Sequence, residues 1–211
     1  MLLQQGLMAA AALAAGVCGA APISRLERPW GQAVRMAAVG ALAGLSLARG
    51  GPPLLSLALA LAAVGSGWAQ GPWPVRRAIG LGALLTAQLV YVALFLPAGG
   101  GRSALIVEPA RDAPIAAVVA LWCVMLTWLR PMLNRRLPLA FAFALTCVAM
   151  VDAAFTLPIY FALAMSGALC LMAAQLLGAA ELVRGLDRRP VRLIWWLQFA
   201  AHAQIAYACL R

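Results

Sequence analysis

Short clusters of Arg, Gly and Pro divide the chain into eight apolar stretches, and this pattern restricts the folds that it can adopt. The stretches lie at about 4–22, 32–48, 53–70, 77–97, 113–129, 137–155, 158–181 and 191–210. A helix needs about 20 residues, and at least about 17, to cross the hydrocarbon core of a bilayer. The sequence therefore predicts an all-α fold, a polytopic membrane bundle of eight short transmembrane helices that forms one domain over residues 1–211. The weakest boundary is Pro158, which alternatively kinks one longer element.

The composition supports a membrane location and argues against a nucleic-acid partner. The chain is 65% hydrophobic and 10% charged, whereas about a quarter of the residues of a soluble domain are charged. All of the basic residues are Arg, and they give a formal net charge of +10. No basic run is longer than two residues, and Arg beside membrane spans normally sets topology. We therefore expect no nucleic-acid partner.

The distribution of Arg predicts the orientation of the bundle. The connections after stretches one, three, five and seven, with flanking residues such as Arg35, hold twelve of the sixteen Arg. The positive-inside rule places this Arg-rich end in the cytoplasm and both termini outside. The N-terminal stretch lacks a basic n-region, so we expect a retained first span rather than a cleaved signal peptide. In the whole chain, the use of Arg for every basic residue and the many Ala, Gly and Pro residues suggest a bacterial protein, and we expect it in the inner membrane.

The residues that bind metals and haem are sparse. His202 is the one histidine, so the chain cannot supply the paired axial ligands of a membrane b-type haem. The five cysteines lie inside apolar stretches without a CxxC spacing, which is typical of small buried side chains. We therefore predict no cofactor and no metal site.

Two acidic residues lie within the predicted spans, where an ionisable group usually faces the bundle interior or a water-filled cavity. Asp152 is near the outer end of the sixth stretch. It either faces the interior or reaches outward to the membrane surface. Glu181 is at the cytoplasmic end of the seventh stretch, one turn before Arg184, and is expected to be an interfacial residue.

Neutral polar side chains form stripes on four of the stretches. Any one of them, taken alone, is typical of a hydrogen bond between neighbouring helices. Pairs spaced by three or four residues share a helix face, and together these stripes predict an internal polar cavity. The predicted cavity residues are Ser66, Gln70, Gln88, Tyr91, Gln175, Gln198 and His202.

Three segments resemble a known family. They are "IGLGALLTAQLVYVALF" at 79–95, "YFALAMSGALCLMAAQLLGAAELVRG" at 160–185 and "LQFAAHAQIAYACL" at 197–210. Their order and spacing resemble those of the YhhN-like membrane proteins, whose characterised members are lysoplasmalogenases. The resemblance covers most of the chain and implies eight spans. It also implies hydrolysis of the vinyl-ether bond of a lysoplasmalogen, which releases a fatty aldehyde and a glycerophospho-alcohol.

The family's acidic positions are replaced in this chain. The resemblance assigns the chemistry to an acid near the end of the third span and another in the seventh, and here these positions hold Ser66 and Gln175. The His of the fourth span aligns with Gln88, and the His of the last span is retained as His202. Neither Ser nor Gln titrates near neutral pH, so neither replaces a carboxylic acid as a proton donor.

Three functional hypotheses follow from this comparison. In the first, the chain is a hydrolase that uses relocated catalytic groups, with Asp152 and His202 as the candidates. In the second, it is a catalytically silent relative that binds a lysolipid or a similar amphiphile in the polar cavity. In the third, the resemblance is architectural only, and the protein is a small transporter or an assembly factor.

Overall fold

A computed structural model describes residues 2–20, 29–69, 73–100, 109–133, 137–184 and 189–210. Within these ranges the chain forms eight α-helices and no strand. Two short 3₁₀ turns, Pro109–Arg111 and Ile159–Phe161, precede the fifth and seventh helices. The predicted all-α fold is confirmed. The helices are α1 (Leu2–Ala20), α2 (Pro29–Ala48), α3 (Pro53–Trp68), α4 (Pro74–Phe95), α5 (Asp112–Leu133), α6 (Leu137–Phe155), α7 (Ala162–Arg184) and α8 (Arg189–Cys209).

Several of these helices have the length and composition of membrane spans. Five are long and apolar enough to cross a bilayer, namely α2, α4, α5, α6 and the segment Ile159–Glu181 that contains most of α7. The apolar part of α1, Gln4–Ala20, and α3 are shorter. These helices make the chain a multi-pass membrane protein. That all eight helices cross the membrane stays a prediction.

Proline and glycine explain where many of the helices begin and end. α2, α3 and α4 start at Pro29, Pro53 and Pro74, in agreement with the preference of proline for the first helical position. Between α2 and α3, Gly50 has a φ of 67°, a conformation that glycine adopts at little cost. Pro158 precedes the second 3₁₀ turn and separates α6 from α7. By contrast, α5 continues through Pro131 and ends beyond the predicted boundary.

Consecutive helices of the N-terminal half pack against one another, and the last helix returns to them. α1 packs on α2, α2 on α3 and α3 on α4, while α7 packs extensively on α8. α8 also contacts α1, α2 and α3. α5 lies at the periphery, since its buried residues form one stripe of Val118, Trp122, Leu129 and Leu133. The interior between α4 and α8 is therefore enclosed by helices from both halves of the chain.

The glycines of α3 allow it to approach both of its neighbours. A Cβ atom on Gly65 would lie 2.5 Å from Leu84 Cγ of α4, and one on Gly67 would lie 3.1 Å from the Gln32 carbonyl oxygen of α2. On the facing helix, a Cβ on Gly80 would lie 2.7 Å from the carbonyl carbon of Trp68. Small residues at such crossings permit close backbone contact in membranes. The segment around Gly65 and Gly67 is therefore a packing element between α2 and α4.

Arg35 of α2 lies inside the bundle rather than at its surface. Its side chain is 4% exposed, and the guanidinium carbon is 5.8 Å from the centroid of the Trp195 ring of α8. A cation placed over an indole face is attracted by the ring quadrupole. The charge pattern alone assigned Arg35 to the flank of a loop, and the structure corrects this position.

Candidate functional site

A cavity of about 320 Å³ opens near the Arg-rich end of the bundle. Its volume is at the lower end of the range of about 300–1,000 Å³ that is usual for small-molecule sites. Its walls come from the end of α3 and from α4, α5, α6, α7 and α8. The residues that line it are Ala69, Arg77, Leu81, Leu84, Trp122, Leu133, Leu139, Ala140, Phe143, Ala174, Gln175, Gly178, Ala179, Glu181, Ile194 and Gln198.

The cavity combines apolar walls with buried N–H groups. Most of its lining side chains are aliphatic or aromatic. Two of the lining residues, Trp122 and Gln175, carry a buried nitrogen that has no hydrogen-bond partner in the described part of the chain. These nitrogens are Trp122 Nε1 and Gln175 Nε2. A buried polar group without a partner costs about 1–3 kcal/mol. Because both nitrogens are donors, the cavity is suited to a ligand that presents oxygen acceptors.

The charged end of the cavity is formed by Arg77 and Glu181. Arg77 is in the first turn of α4, and Glu181 is near the end of α7, so both lie close to the connections of the Arg-rich end. Both side chains are half-buried. The expectation that Glu181 is an interfacial residue stays a prediction, and its position near the end of α7 also places it in the cavity wall.

Polar side chains of α4 and α6 form a buried hydrogen-bonded group. The Thr146 hydroxyl donates to Gln88 Oε1 at 2.6 Å, and Gln88 Nε2 lies 3.5 Å from Cys147 Sγ. Gln88 is 1% exposed. The amide of Gln88 thus has a partner on each side, and both partners belong to α6.

Tyr91 and His202 form a second buried pair, between α4 and α8. Their exposures are 0% and 1%, and Tyr91 Oη lies 3.0 Å from His202 Nδ1. The two rings are stacked, with their centroids 5.9 Å apart. The other ring nitrogen, His202 Nε2, is buried and has no partner among the described residues. We refer to Gln88, Thr146, Tyr91 and His202 as the polar floor.

The helical repeat places the polar floor directly beyond the cavity. On α4, Leu84 lines the cavity and Gln88 follows it by four residues. On α8, Gln198 lines the cavity and His202 is four residues further. Residues spaced by four share a helix face and lie about 6 Å apart along the axis. On α6, Phe143 lines the cavity and Thr146 lies three residues further along the helix. Three walls of the cavity therefore continue into the polar floor.

The profile of the YhhN family matches residues 30–209. The chain belongs to the YhhN family. Searches of curated proteins and of solved structures gave no significant match. The family resemblance of the three segments 79–95, 160–185 and 197–210 is thereby confirmed.

In this YhhN family member, Ser66 and Gln175 stand at the positions of the family's acidic pair, and the two residues lie in different surroundings. Gln175 lines the cavity. Ser66 is buried, but it is absent from the cavity lining, and its hydroxyl donates to the Ala63 carbonyl oxygen of its own helix at 2.9 Å. Gln70 lies outside the described residues. Among the other predicted cavity residues, Gln198 is in the lining, and Gln88, Tyr91 and His202 are in the polar floor.

Asp152 lies on an exposed face of the bundle. Its side chain is exposed near the end of α6, whereas His202 is buried. No hydrogen bond joins the two residues in the described part of the chain. Exposure is the outcome expected if the carboxylate reaches outward to the membrane surface. A catalytic role for Asp152 with His202 stays a prediction, and the buried site is built from other residues.

Other polar side chains join helices away from the cavity. The Ser56 hydroxyl donates to Ser46 Oγ at 2.9 Å between α3 and α2, and the Ser166 hydroxyl donates to Gln204 Oε1 at 2.8 Å between α7 and α8. The described residues contain no group of three His, Cys, Asp or Glu that could hold a metal ion.

Arg77 and Trp122, which both line the cavity, were not identified from the sequence as site residues. Arg77 entered only the charge count, and Trp122 was not singled out. The burial stripe of α5 distinguishes Trp122 from Trp128, because it places Trp122 inward while Trp128 is exposed. Arg77 is the first residue of the stretch predicted at 77–97, and a guanidinium at the end of an apolar helix can reach into the bundle.

Proposed function

We propose that this YhhN protein binds a lysolipid or a similar single-chain amphiphile in the cavity of the Arg-rich end. The observation that carries the proposal is the combination of apolar walls with two buried nitrogens that lack a partner among the described residues, Trp122 Nε1 and Gln175 Nε2, beside the cation Arg77. Phosphate and glycerol oxygens are acceptors that these groups can satisfy. An Arg guanidinium pairs with phosphate through charge-assisted hydrogen bonds.

The volume of the cavity indicates which part of such a ligand it encloses. About 320 Å³ accommodates the polar head and the first part of a chain, but not a whole long-chain lipid. The rest of the chain would lie in the membrane, against the apolar outer faces of the helices. A single chain crosses a gap between helices more easily than two, so the proposal favours a lysolipid over a diacyl lipid.

The proposed orientation follows from the Arg distribution. The Arg-rich end faces the cytoplasm of a bacterial inner membrane, and the ligand enters from the cytoplasmic leaflet. Anionic head groups are attracted to basic residues at this depth.

Binding to the purified protein in nanodiscs tests this proposal. We expect 1-O-hexadecyl-glycero-3-phosphocholine to bind at least about tenfold more tightly than 1-O-hexadecyl-glycerol, which lacks the phosphate, because the Arg77–phosphate contact contributes about 1.5–3 kcal/mol. Arg77→Gln should remove most of this difference. Arg76→Gln is the matched control, because Arg76 is adjacent, exposed and absent from the cavity. Equal binding of the two probes to the wild type would refute the proposal.

Vinyl-ether hydrolysis is a second candidate function, favoured by the position of Glu181. It is the one acidic residue that lines the cavity in the described part of the chain. The reaction needs a proton on the alkene carbon and then water on the resulting oxocarbenium carbon. The hemiacetal so formed breaks down to a fatty aldehyde and a glycerophospho-alcohol. A carboxyl group beside the bound ligand could supply the proton and recover it from the attacking water.

Aldehyde release from a lysoplasmalogen tests this second candidate. Activity that is lost in Glu181→Gln and retained in Asp152→Asn would assign the proton transfer to the cavity. The opposite result would support the sequence-based prediction for Asp152. If no aldehyde forms above a heat-inactivated control while the lysolipid still binds, the protein is a binding protein without this activity.

A further inference from the structure

His202 Nε2 is a buried nitrogen for which the described residues provide no partner. The histidine is 1% exposed and lies at the junction of α4 and α8. Buried polar groups in folded proteins almost always have a hydrogen-bond partner. A nitrogen left without one, immediately beyond a cavity, indicates that a ligand or a water molecule completes the site.

The contact with Tyr91 indicates which ring nitrogen of the neutral imidazole carries the hydrogen. If the Tyr91 hydroxyl donates to Nδ1, the hydrogen is on Nε2, and one N–H group is unsatisfied. In the other tautomer Nδ1–H donates to Tyr91 Oη. The tyrosine hydroxyl hydrogen and the Nε2 lone pair then both lack a partner in the described structure. The first arrangement leaves fewer groups unsatisfied, so Nε2 is assigned as a hydrogen-bond donor.

The neighbouring residues limit where an acceptor can come from. Gln88 Oε1 accepts from the Thr146 hydroxyl, and Gln88 Nε2 contacts Cys147 Sγ. The amide of Gln88 is therefore already engaged with α6. On α8, His202 lies about 6 Å beyond Gln198, which lines the cavity. The cavity lies one helical turn away along α8, and it is the side from which we expect an acceptor to reach Nε2.

We propose that His202 Nε2–H donates a hydrogen bond to a glycerol hydroxyl or ether oxygen of the amphiphile that occupies the cavity. This inference rests on the proposed function and adds a specificity determinant to it. With the phosphate near Arg77, the glycerol oxygens are the deepest acceptors of the ligand. Tyr91 is a positioning residue, because its hydroxyl holds the tautomer that places the hydrogen on Nε2. The polar floor therefore distinguishes glycerol-containing lipids from simple alkyl phosphates.

A pair of probes with the same chain and head group tests this inference. The first is 1-O-hexadecyl-glycero-3-phosphocholine, and the second is hexadecylphosphocholine, which lacks the glycerol oxygens. In nanodiscs, the wild-type protein should bind the first probe about five- to tenfold more tightly, the ratio expected from one neutral hydrogen bond. His202→Phe should abolish this preference, so that the variant binds the two probes with affinities within about twofold of each other. Tyr91→Phe should give an intermediate preference.

The outcomes separate this inference from the proposed function. If the wild type binds both probes equally, a buried water already satisfies Nε2, and the inference is overturned while the proposed function stands. If neither probe binds, both are overturned. If His202→Phe retains the full preference, the glycerol oxygens are recognised elsewhere and the inference is wrong.

Nitrogen NMR on the unmodified protein provides a second measurement that does not depend on a variant. His202 is the one histidine of the chain, so ¹⁵N-histidine labelling gives a single pair of ring signals. We expect a protonated Nε2 and an unprotonated Nδ1, and a shift of the Nε2 signal when the glycerol-containing probe is added. Protonation on Nδ1, or an Nε2 signal that responds equally to both probes, contradicts the inference.

Discussion

Gly178→Leu should reduce the affinity for 1-O-hexadecyl-glycero-3-phosphocholine by at least about tenfold, which corresponds to about 1.4 kcal/mol. Gly178 lines the cavity, and a Cβ atom built on it meets no heavy atom within 4 Å. The leucine side chain therefore fills space that is otherwise open to the ligand. We do not expect the fold to suffer, because leucine is favoured over glycine in a helix by up to about 1 kcal/mol. Binding in nanodiscs and the thermal midpoint should be measured on the same sample.

Gly82→Leu is the matched control for this experiment. Gly82 is also helical and also has no heavy atom within 4 Å of a Cβ, but it lies on the exposed face of α4 outside the cavity. The same chemical change there should leave the affinity within about twofold of the wild-type value. If Gly178→Leu binds the probe as tightly as Gly82→Leu does, the cavity is not the binding site.

Gly80→Ala should lower the free energy of unfolding by about 1–3 kcal/mol, the usual range for overpacking of a tight contact. A Cβ atom on Gly80 would lie 2.7 Å from the carbonyl carbon of Trp68 and 2.9 Å from Ala69 Cα. These are backbone atoms at the C-terminal end of α3 and of the residue that follows it, so the helices must separate to admit the methyl group. The decrease is measurable as a lower thermal midpoint in detergent.

Gly82→Ala is the control that separates the effect of this contact on stability from the effect of helix propensity. Gly82 lies two residues further along α4. Both substitutions gain up to about 1 kcal/mol of propensity, but only Gly80 faces the backbone of α3. Gly82→Ala should therefore leave the midpoint unchanged or raise it. Equal midpoints for the two variants would show that α3 and α4 do not approach as closely as described.

The helices were predictable from the sequence because membrane spans have a simple physical signature. Charges and Pro or Gly clusters cannot stay in lipid or continue a helix, so they mark the connections, and the observed starts at Pro53 and Pro74 lie close to the predicted ones. The end of α5 was less predictable. Pro131 removes one hydrogen bond and can be accommodated in a membrane helix, so the helix continues to Leu133.

The candidate site was only partly predictable, because the direction of a side chain depends on how the helices rotate against each other. Gln175 and Gln198, which the polar stripes singled out, line the cavity. The hydroxyl of Ser66 has a carbonyl partner on its own helix, and glycines on either side draw that segment against α2 and α4. The surroundings of Arg35 were not predictable for the same reason. Only the packing of α8 against α2 shows that the Trp195 indole ring lies beside its guanidinium.

The most direct test of the central claim, that the cavity holds the head of a single-chain amphiphile, is photo-crosslinking. A lysophosphatidylcholine with a diazirine next to its glycerol should be irradiated with the protein in nanodiscs, and the labelled peptides identified by mass spectrometry. We expect label on the cavity segments of α4, α7 and α8, around Leu84, Gln175 and Gln198, and its loss in Gly178→Leu. Label confined to exposed residues such as Val124 and Leu145, unchanged in Gly178→Leu, would contradict the account.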